Sequence, residues 1–201
     1  MKKGFKPREL TLLGLLTALL ILMSCTPLGY LNIGPLAITL NVIPVAMGAI
    51  ALGPTGGAIV GAVFGVTSVL QCIGIGGSSA MGIITFEISP LLTIIQRLGT
   101  RVLAGFLTGL LYQALRKTPA KNAAVFIAGF AAAFLNTALF MGALVLLFGN
   151  TDYVQGLIGG RNVLVAIAAM VGVNAVVEML ASTLISGVLG KALQAAKLIA
   201  R

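Results

Sequence analysis

The chain has 201 residues, 59% of them hydrophobic and only 8% charged, with a mean hydropathy of +1.12 and a formal net charge of +9. A soluble domain carries about 25% charged residues, so this composition belongs to an integral membrane protein. Histidine and tryptophan are absent, which removes histidine acid–base work, histidine metal ligation and Ser-His-Asp catalysis.

The positive charge is clustered rather than spread as a nucleic-acid surface needs. Lys2, Lys3, Lys6 and Arg8 precede the first apolar run. Arg116, Lys117 and Lys121 fill one short connection, and Lys191, Lys197 and Arg201 end the chain. Of the 13 cations, only Arg97, Arg101 and Arg161 lie outside those clusters. Placing all three clusters on the cytoplasmic side satisfies the positive-inside rule and leaves no role for nucleic acid.

In chain order, the apolar runs predict one all-α transmembrane domain over residues 1–201. Its six helices cover about 9–25, 39–52, 57–73, 90–117, 120–148 and 162–196. The first is slightly short for a perpendicular span of about 20 residues, and Thr26-Pro27 ends it. Basic residues, an apolar stretch and Cys25 loosely resemble a lipoprotein signal, but Met23 fits that pattern poorly, and the segment reads as a retained helix. The connection 26–38 is punctuated by Pro27, Gly29, Tyr30, Asn32, Gly34 and Pro35, and loops of that length tend to be functional. The second helix is short and contains Pro44, and Gly53-Pro54-Thr55-Gly56 turns the chain. After the third helix, Gly74 to Ser79 reads as a flexible stretch continuing to Glu87. Six spans put both termini and all three basic clusters inside, so 26–38, 74–89 and 149–161 lie outside. Tyr30 and Tyr153 then suit outer interfacial anchoring and Tyr112 the inner.

The fourth helix is the anomaly. Its run SPLLTIIQRLGTRVLAGFLTGLLYQALRK starts at Ser89-Pro90, where proline's missing N–H costs nothing, and ends on Arg116 and Lys117. Between those ends, Arg97 and Arg101 stand four residues apart on one face. Helix rise places them about 10 and about 16 Å below one surface. A charge near mid-bilayer costs about 2.5–3.5 kcal/mol on insertion scales, so each must meet a partner, a cavity or a ligand. Asn136, Asn174 and Glu178 fall within about one turn of the same depth, while Asn41, Gln71 and Gln96 lie nearer the outer side. Two readings stay open for Arg101 and Glu178: an internal ion pair with amides hydrogen-bonding between helices, or contact with a ligand. Arg97 lacks an acid in its own layer and is the better candidate for an anionic ligand, with Glu87 the competing partner.

Other chemistries are poorly served. The sequence has no G-x-x-x-x-G-K-[ST], and Gly187 to Ala192 has the wrong spacing, so ATP must be spent by another subunit. Gly74-Ile75-Gly76 is not completed to a dinucleotide fingerprint. A self-contained gradient-driven carrier wants several acids or histidines at depth, and only Glu178 qualifies. No nucleophile–base pair, cofactor motif or metal set points to an enzyme. Cys25 and Cys72 read as small apolar residues, both near the outer surface, where a bridge is conceivable. Gly53, Gly57, Gly61 and Gly65 form a stripe on the third helix, and Gly105 and Gly109 mark the fourth, for close packing. The Gly14-xxx-Ala18 pair on the first helix packs inside or docks a partner.

With its basic start, six spans and residues 26–65 (TPLGYLNIGPLAITLNVIPVAMGAIALGPTGGAIVGAVFG), the chain resembles the S components of energy-coupling-factor (ECF) transporters, the vitamin-capturing membrane subunits. The segment IPVAMGAIALGP followed by a glycine-striped helix is its most specific part. The resemblance implies a prokaryotic plasma-membrane protein with cytoplasmic termini. A transmembrane coupling protein and two ATPase subunits would supply energy, and the subunit topples in the membrane to deliver its vitamin. It implies that Gly14 and Ala18 contact the coupling protein, with glycine in place of the usual alanine. It also implies a ligand pocket at the outer ends of the last three helices, at positions corresponding to Tyr30, Asn32, the Gly74–Ser79 stretch, Arg97, Asn136 and Asn174. The chain looks most like the pantothenate-type members. It lacks the proline-threonine-leucine-glutamine run of biotin-type members, reading Ile38-Thr39-Leu40-Asn41 instead. Riboflavin, folate, cobalamin and biotin stay open.

Overall fold

The computed structural model describes residues 5–26, 29–32 and 37–196, with 30–32 and 37–38 as backbone alone. Helix α1 runs Pro7–Ser24. Pro7 occupies a position that needs no N–H, and the Glu9 carboxylate accepts the Lys6 N–H at 2.8 Å to close the start. The connection after it is a small antiparallel hairpin, β1 Tyr30–Asn32 and β2 Ala37–Thr39, with Tyr30 opposite Thr39.

Helix α2, Val42–Leu70, folds back on itself at Gly53, whose φ of 72° and ψ of −164° suit glycine alone. Pro54 follows, and the two arms, 42–52 and 54–70, lie antiparallel. A Cβ at Gly57 would stand 2.9 Å from Ala49 Cβ, and one at Gly48 would stand 2.9 Å from Val60. One glycine therefore makes the reversal for which the sequence suggested a four-residue turn. The first arm spans only about half of a hydrocarbon core.

A 3-10 turn, Gln71–Ile73, leads to α3, Ala80–Ile88. That helix lies where the sequence suggested an irregular stretch, and Ser79 starts it by accepting the Gly82 N–H. The long helix α4, Pro90–Leu115, is interrupted by a π-turn at Ile95–Gly99. After a 3-10 turn at Pro119–Asn122 come α5, Ala124–Phe148, a short α6, Asp152–Ile158, and α7, Val163–Ala195.

Side-chain contacts fix the direction of every leg. Ser24 donates to Thr67 and Gln71 donates to the Ser24 carbonyl, so α1 and the second arm of α2 run parallel. The second arm is antiparallel to α4. Gly57 faces Gly105, Gly61 faces the Arg101 carbonyl and Gly65 faces Leu98, so closely that a Cβ at Gly57 or Gly105 would overlap the other's carbonyl oxygen. The glycine stripe is thus consumed inside the fold. Gln96 donates to the Phe140 carbonyl, making α5 antiparallel to α4. Ser182 donates to the Gly129 carbonyl at 2.7 Å, and Gly190 abuts Val125, making α7 antiparallel to α5. Six legs therefore alternate in direction. Among the described residues, five helices are long and apolar enough to cross a membrane, the folded Val42–Ile73 counting as one.

The consequence is one basic end. Lys6 and Arg8 at the start of α1, Arg116 and Lys117 at the end of α4, Lys121 and Lys191 all come to it. Tyr112, suggested as an interfacial anchor, is instead 2% exposed there and accepts a hydrogen bond from Gln194. The main core sits at this end, built from Leu16, Leu20, Met47, Ile50, Val60 and Phe64 with Val125 behind them.

Candidate functional site

At the opposite end the helices part around a cavity of about 650 Å³. Ser68 of α2, Gln71 of the 3-10 turn after it, Asn136, Thr137 and Phe140 of α5, and Asn174 and Glu178 of α7 form its sides. The end of α1, Ser24 to Thr26, and the segment Gly76 to Met81 close over it. Its charge comes from Arg97 and Arg101 of α4.

Arg97 lies within the π-turn and Arg101 just after it. Arg101 Nη1 donates to the Arg97 carbonyl at 3.1 Å. Arg97 is 3% exposed and reaches across to α2, where Nη1 donates to the Ser68 hydroxyl at 2.7 Å and the Ser68 carbonyl at 3.2 Å. Its Nη2 donates to the Ser79 hydroxyl at 3.2 Å. Gly82 makes room for it, since a Cβ there would lie 2.6 Å from Nη2. Arg101, 6% exposed, lies between two aromatic rings, 4.4 Å from the Phe64 centroid and 5.1 Å from Phe140. Cation–π contacts of about 0.5–2 kcal/mol and hydrogen bonds to charge of about 1.5–3 kcal/mol help hold the guanidiniums in place.

Glu178 stands on the same wall, 6% exposed, and its Oε1 accepts the Thr39 N–H, tying the hairpin to α7. Glu87 is exposed on α3 and does not line the cavity. The cysteines are both free thiols, Cys25 on the cavity wall and Cys72 buried behind Arg97 with Sγ 3.4 Å from the Ser68 carbonyl. Asn41, beneath the hairpin, is fully buried with neither side-chain polar atom hydrogen-bonded.

Of the residues singled out by sequence, Arg97, Arg101, Asn136, Asn174 and Gln71 converge on this one cavity. Gln96 does not: it is 1% exposed, packed against α5 through the Phe140 carbonyl. The side chains of Tyr30 and Asn32 lie outside the described residues. Gly14 and Ala18 are far from the cavity, exposed on α1, and nothing lies within 4 Å of where a Gly14 Cβ would be. Sequence reasoning missed Ser68, Gly82, Phe64, Phe140 and Thr137. A phenylalanine in an apolar helix reads the same whether it faces lipid or an arginine.

The family model for the ECF transporter substrate-specific component matches residues 8–190. The chain belongs to that family. No curated protein matches it at significance. The match spans the whole helical bundle, including both arginines and the α1 motif. As a substrate-specific component, the chain is the small-molecule-binding membrane subunit of an ECF importer, which works with partner subunits.

Proposed function

We propose that this substrate-specific component captures a small anionic water-soluble vitamin, with pantothenate as the preferred candidate, from outside the cell. It then passes the vitamin inward with a coupling protein and two ATPase subunits. The observation that carries the reading is the cavity itself, where the two buried guanidiniums of Arg97 and Arg101 share a lining with the amides Asn136, Asn174 and Gln71. About 650 Å³ is the size of a small-ligand site. A carboxylate there gains charge-assisted hydrogen bonds in a low dielectric. Asn136, Asn174 and Gln71 supply the amide contacts that a hydroxyl-rich ligand needs.

Orientation follows from charge. The basic end of the bundle faces the cytoplasm under the positive-inside rule, with six spans and both termini inside, so the cavity opens outward. Gly14 and Ala18 lie on an exposed side of α1 with Leu15, Leu19 and Leu22, and they are the contact we assign to the coupling protein. The chain holds no ATP-binding motif of its own, which fits energy supplied by partners.

Mass spectrometry of small molecules released from the purified chain tests the reading. An anionic vitamin from the wild type, lost from Arg97→Ala of unchanged fold, is the expected result. A neutral or cationic compound retained equally by both proteins contradicts it.

A further inference from the structure

We infer that the cavity is matched to a ligand of exactly one net negative charge bearing hydrogen-bond donors at its far end, and that Glu178 sets this number. This inference rests on the capture role proposed above and refines its substrate class.

Among the described residues, the charged side chains on the wall are Arg97, Arg101 and Glu178, exposed by 3%, 6% and 6%. The covering segment 74–81 contains no charged residue, and the sequence 27–38 contains none either. With Glu178 ionised, two guanidiniums less one carboxylate leave a net charge of one positive unit, whatever bonds Arg101 and Glu178 make with each other. A buried charge left uncompensated is costly. A monoanion brings the occupied cavity to neutrality, whereas a dianion, a neutral molecule or a cation each leaves a residue of charge.

The geometry also gives the ligand a direction. Arg97 is braced from behind by Ser68 and Ser79, which aims its charge at the acid group. Glu178, on the facing helix, spends Oε1 on the Thr39 N–H and also accepts a side-chain hydrogen bond from Thr137. A carboxylate only accepts hydrogen bonds, so what approaches its remaining lone pairs must donate. The end of the ligand remote from its acid therefore carries hydroxyl or amide N–H groups, next to Asn174 and Thr137. Glu178 is in this account a specificity residue, one that selects by charge and reads the donor end.

The test uses the ligand-stripped chain in detergent and reads binding by calorimetry. The probes are pantothenate, biotin and nicotinate as monoanions, pantothenol and riboflavin as neutral molecules, thiamin as a cation, and folate and pantoyl-aspartate as dianions. Pantoyl-aspartate is the pantothenate skeleton with one added carboxylate. The tightest probe is expected to be a monoanion, with pantothenate about 100-fold tighter than either pantothenol or pantoyl-aspartate. In Glu178→Gln, which keeps an acceptor for Thr39, the preference moves at least about tenfold toward pantoyl-aspartate. In Arg101→Gln it moves by a similar factor toward pantothenol. Ratios are the readout because simple damage weakens all probes together. A dianionic tightest probe, or ratios unmoved by both substitutions, overturns the charge rule and leaves capture of an anionic vitamin standing, whereas a neutral or cationic tightest probe overturns both. Failure of every probe to bind overturns the capture reading and this one with it.

Discussion

The two halves of α4 face the same neighbour, the second arm of α2, in opposite ways. From Gly105 to Tyr112 the helix is dry and seated backbone to backbone, with Gly105 against Gly57 and Gly109 against Pro54. From Gln96 to Arg101 its backbone still meets Gly61 and Gly65, but this half is polar, carries a π-turn, and sends arginine side chains to Ser68 and between aromatic rings. The dry half has one way to pack, so it sets the fold. The polar half leaves an enclosed space and a charge, so it is free to serve a ligand. Stability and binding are therefore separable along a single helix.

That separation can be broken most severely at the dry seam. Gly105→Leu forces a side chain into the Gly57 carbonyl and is expected to cost more than about 3 kcal/mol. The purified yield of monodisperse protein should collapse, as size-exclusion chromatography in detergent reads directly. Arg97→Ala should leave that profile intact while weakening ligand binding by at least about 100-fold, the weight of a buried charge-assisted pair. Gly82→Ala is a finer probe of the same guanidinium. Its methyl group displaces Arg97 Nη2, and calorimetry is expected to show a loss of about tenfold. The smallest effect on the isolated chain is expected at α1. Gly14→Leu and Ala18→Leu meet open space, so Tm and binding stay within error, but transport by the reconstituted complex should fail.

The α1 pair and the seam also show what a sequence can and cannot convey. Both are small residues four apart in apolar helices, and nothing in the letters tells them apart. Contact alone shows Gly57 buried against Gly105 and Gly14 facing outward. The buried arginines were legible because charge in an apolar run has few physical explanations, and the amides Asn136 and Asn174 were legible by depth. The hairpin was not, since three-residue strands are too short to show alternation. Helix α3 was hidden by the Gly74–Ser79 run before it, although Ser79 is a sound N-cap. The π-turn has no sequence mark, yet it contains Arg97 and ends just before Arg101. Gln96 lies against α5 and off the cavity wall, a distinction periodicity does not make, since it places a residue on a face without saying whether that face meets a cavity or another helix.

The most direct measurement of the central claim is an experimental structure of the purified chain with its co-purified ligand. The account predicts density in the cavity, with the acid group about 3 Å from an Arg97 guanidinium nitrogen and a donor group facing Glu178. Ligand density elsewhere, with Arg97 still closed on Ser68 and Ser79 and an empty space before it, contradicts the account.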